Sequence, residues 1–418
     1  MRFRLALLST RSVNLASRVL RRGQGTVAGG RAGLRMDPRL LERLSAGRSV
    51  ALVSGTNGKT TTTRLLAVAW GADGDGVVSN ETGSNMPPGH VAALVADRSS
   101  TRAVLEVDEI YLPRVLSATS ASVVLLLNLS RDQLDRSNEV RMIANRWRAA
   151  LAAAPHTQVV ANADDPLVVW GAGAASHVHW VSVGLRWQLD AGGCPSCSGR
   201  IIFDEASWSC EDACGLIRPT PEATLVIDGV GAHVDWSDGG STAFTLQLPG
   251  RFNLANAVLA AVAAGTQGVD RELALAAMAA VPTVAGRFSS RLFGEQSARL
   301  MLAKNPAGWS ELLDLVVHEQ CGVVVSINAR TADGADPSWL WDVPFEQLAG
   351  RRVVATGDRC RDLSVRLHYA GVEHSMEMDP VAAIAAASQN GAVVDVIGNY
   401  TAFNELLRQG SPIEGNAA

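Results

Sequence analysis

Three groups of residues have the types and spacing to do chemistry. The first is Ser54-Gly55-Thr56-Asn57-Gly58-Lys59-Thr60-Thr61-Thr62-Thr63. Glycines let backbone N–H groups close on phosphate oxygens, and a helix N-terminus adds partial positive charge. A compact Lys59 ammonium neutralises the outer phosphates, and the Thr60 hydroxyl can hold Mg²⁺. The general phosphate-loop pattern wants glycine where this chain has Val53, so the loop is a variant, Gly-Thr-Asn-Gly-Lys-Thr. The second group is Glu106, ending the apolar run Ala103-Val104-Leu105. An unpaired carboxylate on a buried strand is costly, so it implies a metal or a basic partner, and a Mg²⁺ role is expected. The third is Cys194, Cys197, Cys210 and Cys214, spaced C-x₂-C-x₁₂-C-x₃-C. Four thiolates so spaced close a tetrahedral structural Zn²⁺ site and leave no position open for catalysis. A pair of disulfides is the rival reading.

The elements that must position these groups follow from the apolar pattern. Val50-Ala51-Leu52-Val53 is too short for a helix and reads as a buried strand; Arg64 to Trp70 reads as the helix after the loop. Short apolar strands then alternate with helices, which predicts a mostly parallel, doubly wound sheet that binds ligands at the carboxyl ends of its strands. Two further strand ends carry polar residues, Asn128 after Val123 to Leu127, and Asn162 with Asp164 and Asp165 after Val159 to Ala161. Cap and site chemistry have equal standing there. After the cysteines, Thr224 to Asp228 and Ala243 to Leu248 read as strands, and Gly250-Arg251-Phe252-Asn253-Leu254-Ala255-Asn256 opens an Ala-rich helix. Asn253 and Asn256 share one face of it, where two amides can read an adenine edge or cap the helix. A boundary is expected between Pro282 and Arg287. Beyond it, Arg299 to Ala303, Gly322 to Asn328, Arg352 to Thr356 and Ala392 to Ile397 predict a smaller α/β domain.

Composition sets the limits. With 418 residues, 47% hydrophobic and 19% charged, the chain has material for two or three folded domains, and a net charge of −4 gives no reason to expect nucleic acid. No apolar run approaches the roughly 20 residues that span a bilayer. Of 37 basic residues only Lys59 and Lys304 are lysine, which singles out Lys304 as a site candidate. Residues 1–48 hold eleven arginines against Asp37 and Glu42, interleaved with leucine and valine. That predicts a basic helical arm, which either packs on the next domain or makes peripheral contact with an anionic membrane. Asp333, Asp336 and Asp342 share a loop with Trp339 and Trp341, the composition of an interface or site loop. Packing under the loop explains its tryptophans but not its carboxylates.

Assembled, Gly55 to Thr60, Glu106, Asn162 to Pro166, Arg251 to Asn256, Gly286-Arg287, Ala303 to Gly308 and Asp333 to Asp342 resemble the Mur ligase superfamily. The Cys₄ ribbon and the Asp-Gly-Ala-Asp-Pro-Ser-Trp loop resemble most closely the branch that serves as synthetase subunit of lipid II isoglutaminyl synthase. The resemblance implies an α/β fold in three parts: a basic arm over 1–48, an ATP-binding central domain over 49–284 with the zinc ribbon near 190–218, and a C-terminal α/β domain over 285–418. It implies ATP and Mg²⁺, with Gly55, Thr56, Asn57, Gly58, Lys59, Thr60, Thr61, Asn253, Asn256, Arg287 and Lys304 on the nucleotide, and Thr60 and Glu106 on the magnesium. The reaction implied is amidation of the D-glutamate α-carboxylate of lipid II through an acyl phosphate, in the cytoplasm at the inner face of the membrane. Ammonia would come from a GatD-like glutaminase, whose Cys-His pair Asp336 completes across the interface. Ordinary family members read Asp-Tyr-Ala-His-Asn-Pro where this chain has Met301 to Pro306, and His at Gln133, so those two contacts are not carried over. Two other readings stay open: a folylpolyglutamate synthetase-like ligase that joins an amino acid, and a nucleotide-binding scaffold without turnover.

Overall fold

The computed structural model describes residues 2–19, 26–80, 84–131, 137–205, 207–229, 231–282, 288–317, 321–388 and 392–413. Two compact units emerge. The first comprises Met1–Ser130, Asn138–Gln247 and Phe252–Val281; the second comprises Arg131–Ser137, Leu248–Arg251 and Pro282–Ala418.

The first unit opens with helices α1 (Arg2–Val19), α2 (Thr26–Met36) and α3 (Leu40–Ser45). Strand and helix then alternate as β1 (Ser49–Ser54), α4 (Lys59–Trp70), β2 (Val77–Ser79), α5 (Pro87–Ala96), β3 (Arg102–Glu106), α6 (Leu112–Thr119), β4 (Val123–Leu126), α7 (Ser137–Ala152), β5 (Gln158–Asn162), α8 (Pro166–Ala172) and β6 (His177–Ser182). A separate hairpin, β7 (Ile201–Phe203) and β8 (Trp208–Cys210), carries the cysteines. β9 (Ala223–Asp228), β10 (Gly231–Trp236), β11 (Ser241–Phe244), α9 (Arg251–Gly265) and α10 (Arg271–Ala279) complete the unit. The nine-stranded sheet runs β11-β10-β9-β6-β5-β4-β1-β3-β2, parallel from β9 to β2 and antiparallel at the β9-β10-β11 edge. Val50, Ala51, Leu52 and Val53 are all at most 1% exposed, as both faces of a helix-covered parallel sheet require.

Three local expectations change. The loop helix begins at Lys59, five residues before Arg64, because Gly58 adopts φ +85° at the N-cap and Thr61, Thr62 and Thr63 are buried rather than solvated. Strand β11 stops at Phe244, four residues short of Leu248, where the chain runs into Pro249-Gly250. Strand β10 was not expected; it pairs back on β9 from Gly231↔Asp228 beside Gly229 at φ +58°.

The second unit holds β12 (Phe288–Phe293), β13 (Gln296–Leu302), α11 (Pro306–Val317), β14 (Val323–Ser326), β15 (Val353–Thr356), α12 (Cys360–Tyr369), β16 (His374–Met376), α13 (Pro380–Ala387), β17 (Val394–Gly398), α14 (Tyr400–Gln409) and β18 (Ser411–Pro412). Its sheet runs β16-β15-β14-β17-β13-β12-β18, all parallel except for β12, which is antiparallel to both β13 and β18. The β12–β13 hairpin turns at Gly294, φ +60°, and adds an antiparallel edge that the apolar pattern had not indicated. Fully buried Asp395 on β17 is offset by Arg299 on β13, with two hydrogen bonds of 2.7 and 2.9 Å.

Candidate functional site

The register of β1 and β3 brings the phosphate loop and Glu106 together. Val53 pairs with Glu106, and the next residues lock across: Val107 donates to the Val53 carbonyl at 2.9 Å and the Ser54 hydroxyl to the Val107 carbonyl at 3.0 Å. Glu106 is 3% exposed, and its Oε2 has no hydrogen-bond partner among the described residues. A buried carboxylate oxygen without a donor is the environment a cation relieves. Its backbone is braced instead: Asn80 accepts from the Glu106 N–H at 2.8 Å and donates to its carbonyl at 2.9 Å, and His90 Nε2 reaches the same carbonyl at 2.8 Å. Burial pushes the His90 imidazole down to about 4, so at neutral pH it is uncharged and its Nε2–H donates.

The loop is shaped for close approach. Gly55 sits at φ +146°, and a Cβ there would come within 3.0 Å of the Asn128 carbonyl and Leu127. A Cβ on Gly58 would meet the Asn256 amide oxygen at 2.8 Å, so the α9 amide lies against the loop. Both asparagines are buried. Asn128, at the end of β4, clamps the loop from the other side: its Oδ1 accepts from Asn57 N–H at 2.9 Å, its Nδ2 donates to Asn57 carbonyl at 3.1 Å, and its carbonyl accepts from Thr56 N–H at 3.0 Å. The Thr56 hydroxyl exchanges 3.0 Å bonds with Ser130. Thr60 and Thr61 lie in the first turn of α4.

Lys59 is buried and folded back on its own loop, donating to the carbonyls of Gly55 and, at 3.0 Å, Thr56, and to Glu109 Oε2 at 3.1 Å. Burial pushes the Glu109 carboxyl up while the Lys59 charge pulls it down. Asn128 stood out in the sequence as a polar strand end, but its clamp on Asn57 and the ion pair of Glu109 with Lys59 did not. The available signal was position: both follow the ends of strands adjacent to β1.

The acidic pair at the end of β5 is structural. Asp165 caps α8, accepting from Leu167 and Val168 N–H at 2.9 and 3.2 Å, and its other oxygen accepts from Leu129 N–H at 2.8 Å. Complete burial outweighs these donors and raises its carboxyl to about 6. Asp164 pairs with Arg218 at 2.7 Å and accepts from Val183 and Gly184 N–H, and Asn162 accepts from Asp164 N–H. Cap and turn chemistry therefore account for all three.

The four cysteine sulfurs lie within 4.8 Å of one another, with Cys194 to Cys214 at 3.6 Å and Cys197 to Cys210 at 3.4 Å. All are free thiols, so the disulfide pairing is not formed. Sulfurs about 3.8 Å apart are what Zn–S bonds of ~2.3 Å give in a tetrahedron, so the donor set fits zinc. Each pair sits on a turn with a non-glycine residue at positive φ, Ser198 at 70° and Ala213 at 49°. Trp208 anchors the hairpin, donating to the Ala163 carbonyl at 3.0 Å above a small core of Val169, Ile201 and both buried cysteines.

In the second unit the three loop aspartates separate. Asp333 is tied to Thr401 through its N–H at 2.9 Å and its hydroxyl, and Asp342 lies 3.7 Å from Arg131. Asp336 is exposed; one oxygen accepts from Ser338 N–H at 2.9 Å, which lowers its carboxyl's affinity for protons. Trp339 packs on buried Trp309, as the packing reading had it, but Trp341 is 55% exposed and meets the Tyr369 ring at a tilt of 57°. Lys304 is exposed, its ammonium 5.3 Å from the Tyr400 ring centroid. Arg287 and Gln133 lie outside the described residues.

Comparison with known proteins accounts for this arrangement. Residues 53–189 match the model of the Mur ligase middle domain, and residues 302–403 match the MurT ligase C-terminal domain. The lipid II isoglutaminyl synthase (glutamine-hydrolyzing) subunit MurT of Streptococcus pneumoniae is 27% identical, with 96% of each chain covered. That of Staphylococcus aureus strain COL is 27% identical over 92% of this chain and 93% of its own. Among solved structures, a pseudomurein peptide ligase type C from Methanothermus fervidus superposes with TM-score 0.67 at 17% identity, over 89% of this chain and 81% of that one. Mycobacterium tuberculosis folylpolyglutamate synthase complexed with ADP superposes with TM-score 0.61 at 18% identity, over 88% and 91%. A Mur ligase middle domain and a MurT ligase C-terminal domain are thus matched on one chain, which is an ATP-dependent ligase similar along nearly its whole length to MurT subunits.

Proposed function

We propose that this chain is the synthetase subunit of a two-subunit amidotransferase that converts the D-glutamate α-carboxylate of lipid II to an amide. The observation that carries the reading is similarity along nearly the whole length to two curated subunits named for that activity. A carboxylate is a poor electrophile. Its oxygen attacks the γ-phosphorus of ATP, ADP leaves, and the resulting acyl phosphate is open to ammonia; nitrogen attacks the acyl carbon, inorganic phosphate departs and a proton is lost.

The residues suit the first step. Gly55 to Thr61 would cradle the phosphates, and Lys59 would leave its loop carbonyls to neutralise charge on the transferred group. Asn253 and Asn256 would meet the base. Thr60 and Glu106 Oε2, which has no partner among the described residues, would hold Mg²⁺, which when bound supplies charge neutralisation at the phosphoryl oxygens. The four cysteines would hold a structural Zn²⁺.

Ammonia requires a second protein. A GatD-like glutaminase would dock on the second unit, where the exposed Trp341–Tyr369 pair, ring centroids 5.6 Å apart, offers aromatic anchors on the unit that carries the exposed Asp336. Asp336 would orient the partner's histidine, a positioning role. The substrate would be met at the inner face of the cytoplasmic membrane.

The test is an ATP-dependent assay of the purified chain with its copurifying glutaminase on lipid II, read by mass spectrometry. Conversion of carboxylate to amide, with glutamine or with ammonium, is the expected result. Turnover with an amino acid and no glutaminase would favour the folylpolyglutamate synthetase-like alternative, and nucleotide binding with no turnover would favour a scaffold.

A further inference from the structure

Helix α1 presents two faces of opposite use. Its inner face is occupied: Ala6, Leu7 and Thr10 are buried, and α2 comes close because Gly29 and Gly33 have no side chains. A Cβ on Gly33 would lie 2.2 Å from the Thr10 hydroxyl, and one on Gly29 would lie 2.5 Å from the Thr10 carbonyl. The outer face is apolar at its centre. Leu5, Leu8 and Leu15 are 43%, 59% and 65% exposed, and their spacing at about 100° per residue lines them along one stripe. By the same spacing Arg4 and Arg11 flank one side of that stripe and Arg2 the other; all three are exposed. Residues 2–36 contain no aspartate or glutamate.

We propose that this outer face of α1 docks on an anionic lipid surface, with the leucines in the acyl boundary and the arginines at headgroup phosphates. A leucine stripe bordered by arginines is the anatomy of a helix lying in a membrane interface, where long basic side chains reach outward from a buried stem. A second copy of the chain fits the face poorly, because it would bring arginines against arginines with no acidic residue on either helix. Nucleic acid fits poorly too, because the leucines at the centre have nothing to offer a phosphate backbone. The surface deepens the proposed action on lipid II and rests on that reading for its purpose, but lipid binding itself is separable from turnover.

The experiment is sedimentation of the full chain with vesicles that contain no lipid II, either pure phosphatidylcholine or phosphatidylcholine mixed with phosphatidylglycerol. Binding to the anionic vesicles only, reversed by high salt, is expected. Arg4→Ser with Arg11→Ser should weaken partitioning by on the order of 25-fold, about five-fold for each charge near the surface. Leu5→Ser with Leu8→Ser and Leu15→Ser should abolish it, while the melting temperature and nucleotide binding of the chain stay as in wild type. A Leu8→Trp variant adds a readout that needs no loss of function: a blue-shifted emission on anionic vesicles. Equal partitioning onto both vesicle types, no partitioning of wild type, a leucine-to-serine variant that binds normally, or a salt-resistant self-association removed by the leucine changes would overturn the proposal. Failure of the amidation assay with intact anionic-vesicle binding would instead overturn only the proposed reaction.

Discussion

Lys59 and Glu109 form a nearly buried ion pair, Nζ to Oε2 3.1 Å, with side chains 9% and 14% exposed. The loop lysine is thus held by a carboxylate and two loop carbonyls. Lys59→Ala should lose ATP turnover by a factor of about 10³ or more with either glutamine or ammonium, because charge on the transferred phosphoryl group goes unneutralised. Phosphate release with each nitrogen source measures it, and turnover near the wild-type rate would remove Lys59 from the reaction. Leaving Glu109 buried without its partner also costs stability, about 3–5 kcal/mol if it stayed ionised.

Gly58→Ala tests the loop's shape separately from its charge. The substitution demands φ +85° of a residue with a Cβ and drives that Cβ against Asn256. Nucleotide affinity should fall at least tenfold while the zinc content is unchanged; calorimetric titration with an ATP analogue measures the loss.

Asp336→Asn should abolish amidation driven by glutamine and leave amidation driven by added ammonium intact. The oxygen that accepts from Ser338 is retained in the amide, so the turn survives and only the charge is removed. Loss of both activities would mean the residue supports the synthetase fold rather than the glutaminase.

Metal analysis should find one zinc per chain. Cys194→Ser with Cys210→Ser should bring that to none and lower the melting temperature, since the hairpin's own core is a handful of residues. A folded wild type with no zinc would refute the site.

Asp165 predicts a pH dependence of stability. Its folded pKa, about 6, lies above the ordinary carboxylate value because the side chain is buried. A raised carboxyl binds protons more tightly in the folded state, so its contribution is full below about pH 4 and is lost as pH rises through 6. Denaturant unfolding of wild type and Asp165→Asn from pH 4 to 8 should therefore give curves that are not parallel, with wild type losing on the order of 3 kcal/mol more across that interval. Parallel curves would contradict it.

The sequence by itself determined the chemistry of the parts. Gly55 to Thr60 specified a phosphate loop because few other combinations give open backbone donors, a helix start and a compact cation. Four cysteines at ribbon spacing pointed to a metal cluster or two disulfides, and the alternation of apolar runs specified a parallel sheet, whose strand ends are where ligands bind. Only the tertiary structure decided which polar strand ends belong to the site. Asp164 and Asp165 have the same composition as a metal pair, yet backbone donors from Leu129, Leu167, Val168, Val183 and Gly184 use them up. Glu106 keeps an oxygen that no donor among the described residues reaches, and the β1–β3 register sets it beside the loop. Partnering of this kind depends on contacts dozens of residues apart, which no local pattern encodes. The same reason hid the grip of Glu109 on Lys59 and the clamp of Asn128 on Asn57, fifty and seventy-one residues away along the chain.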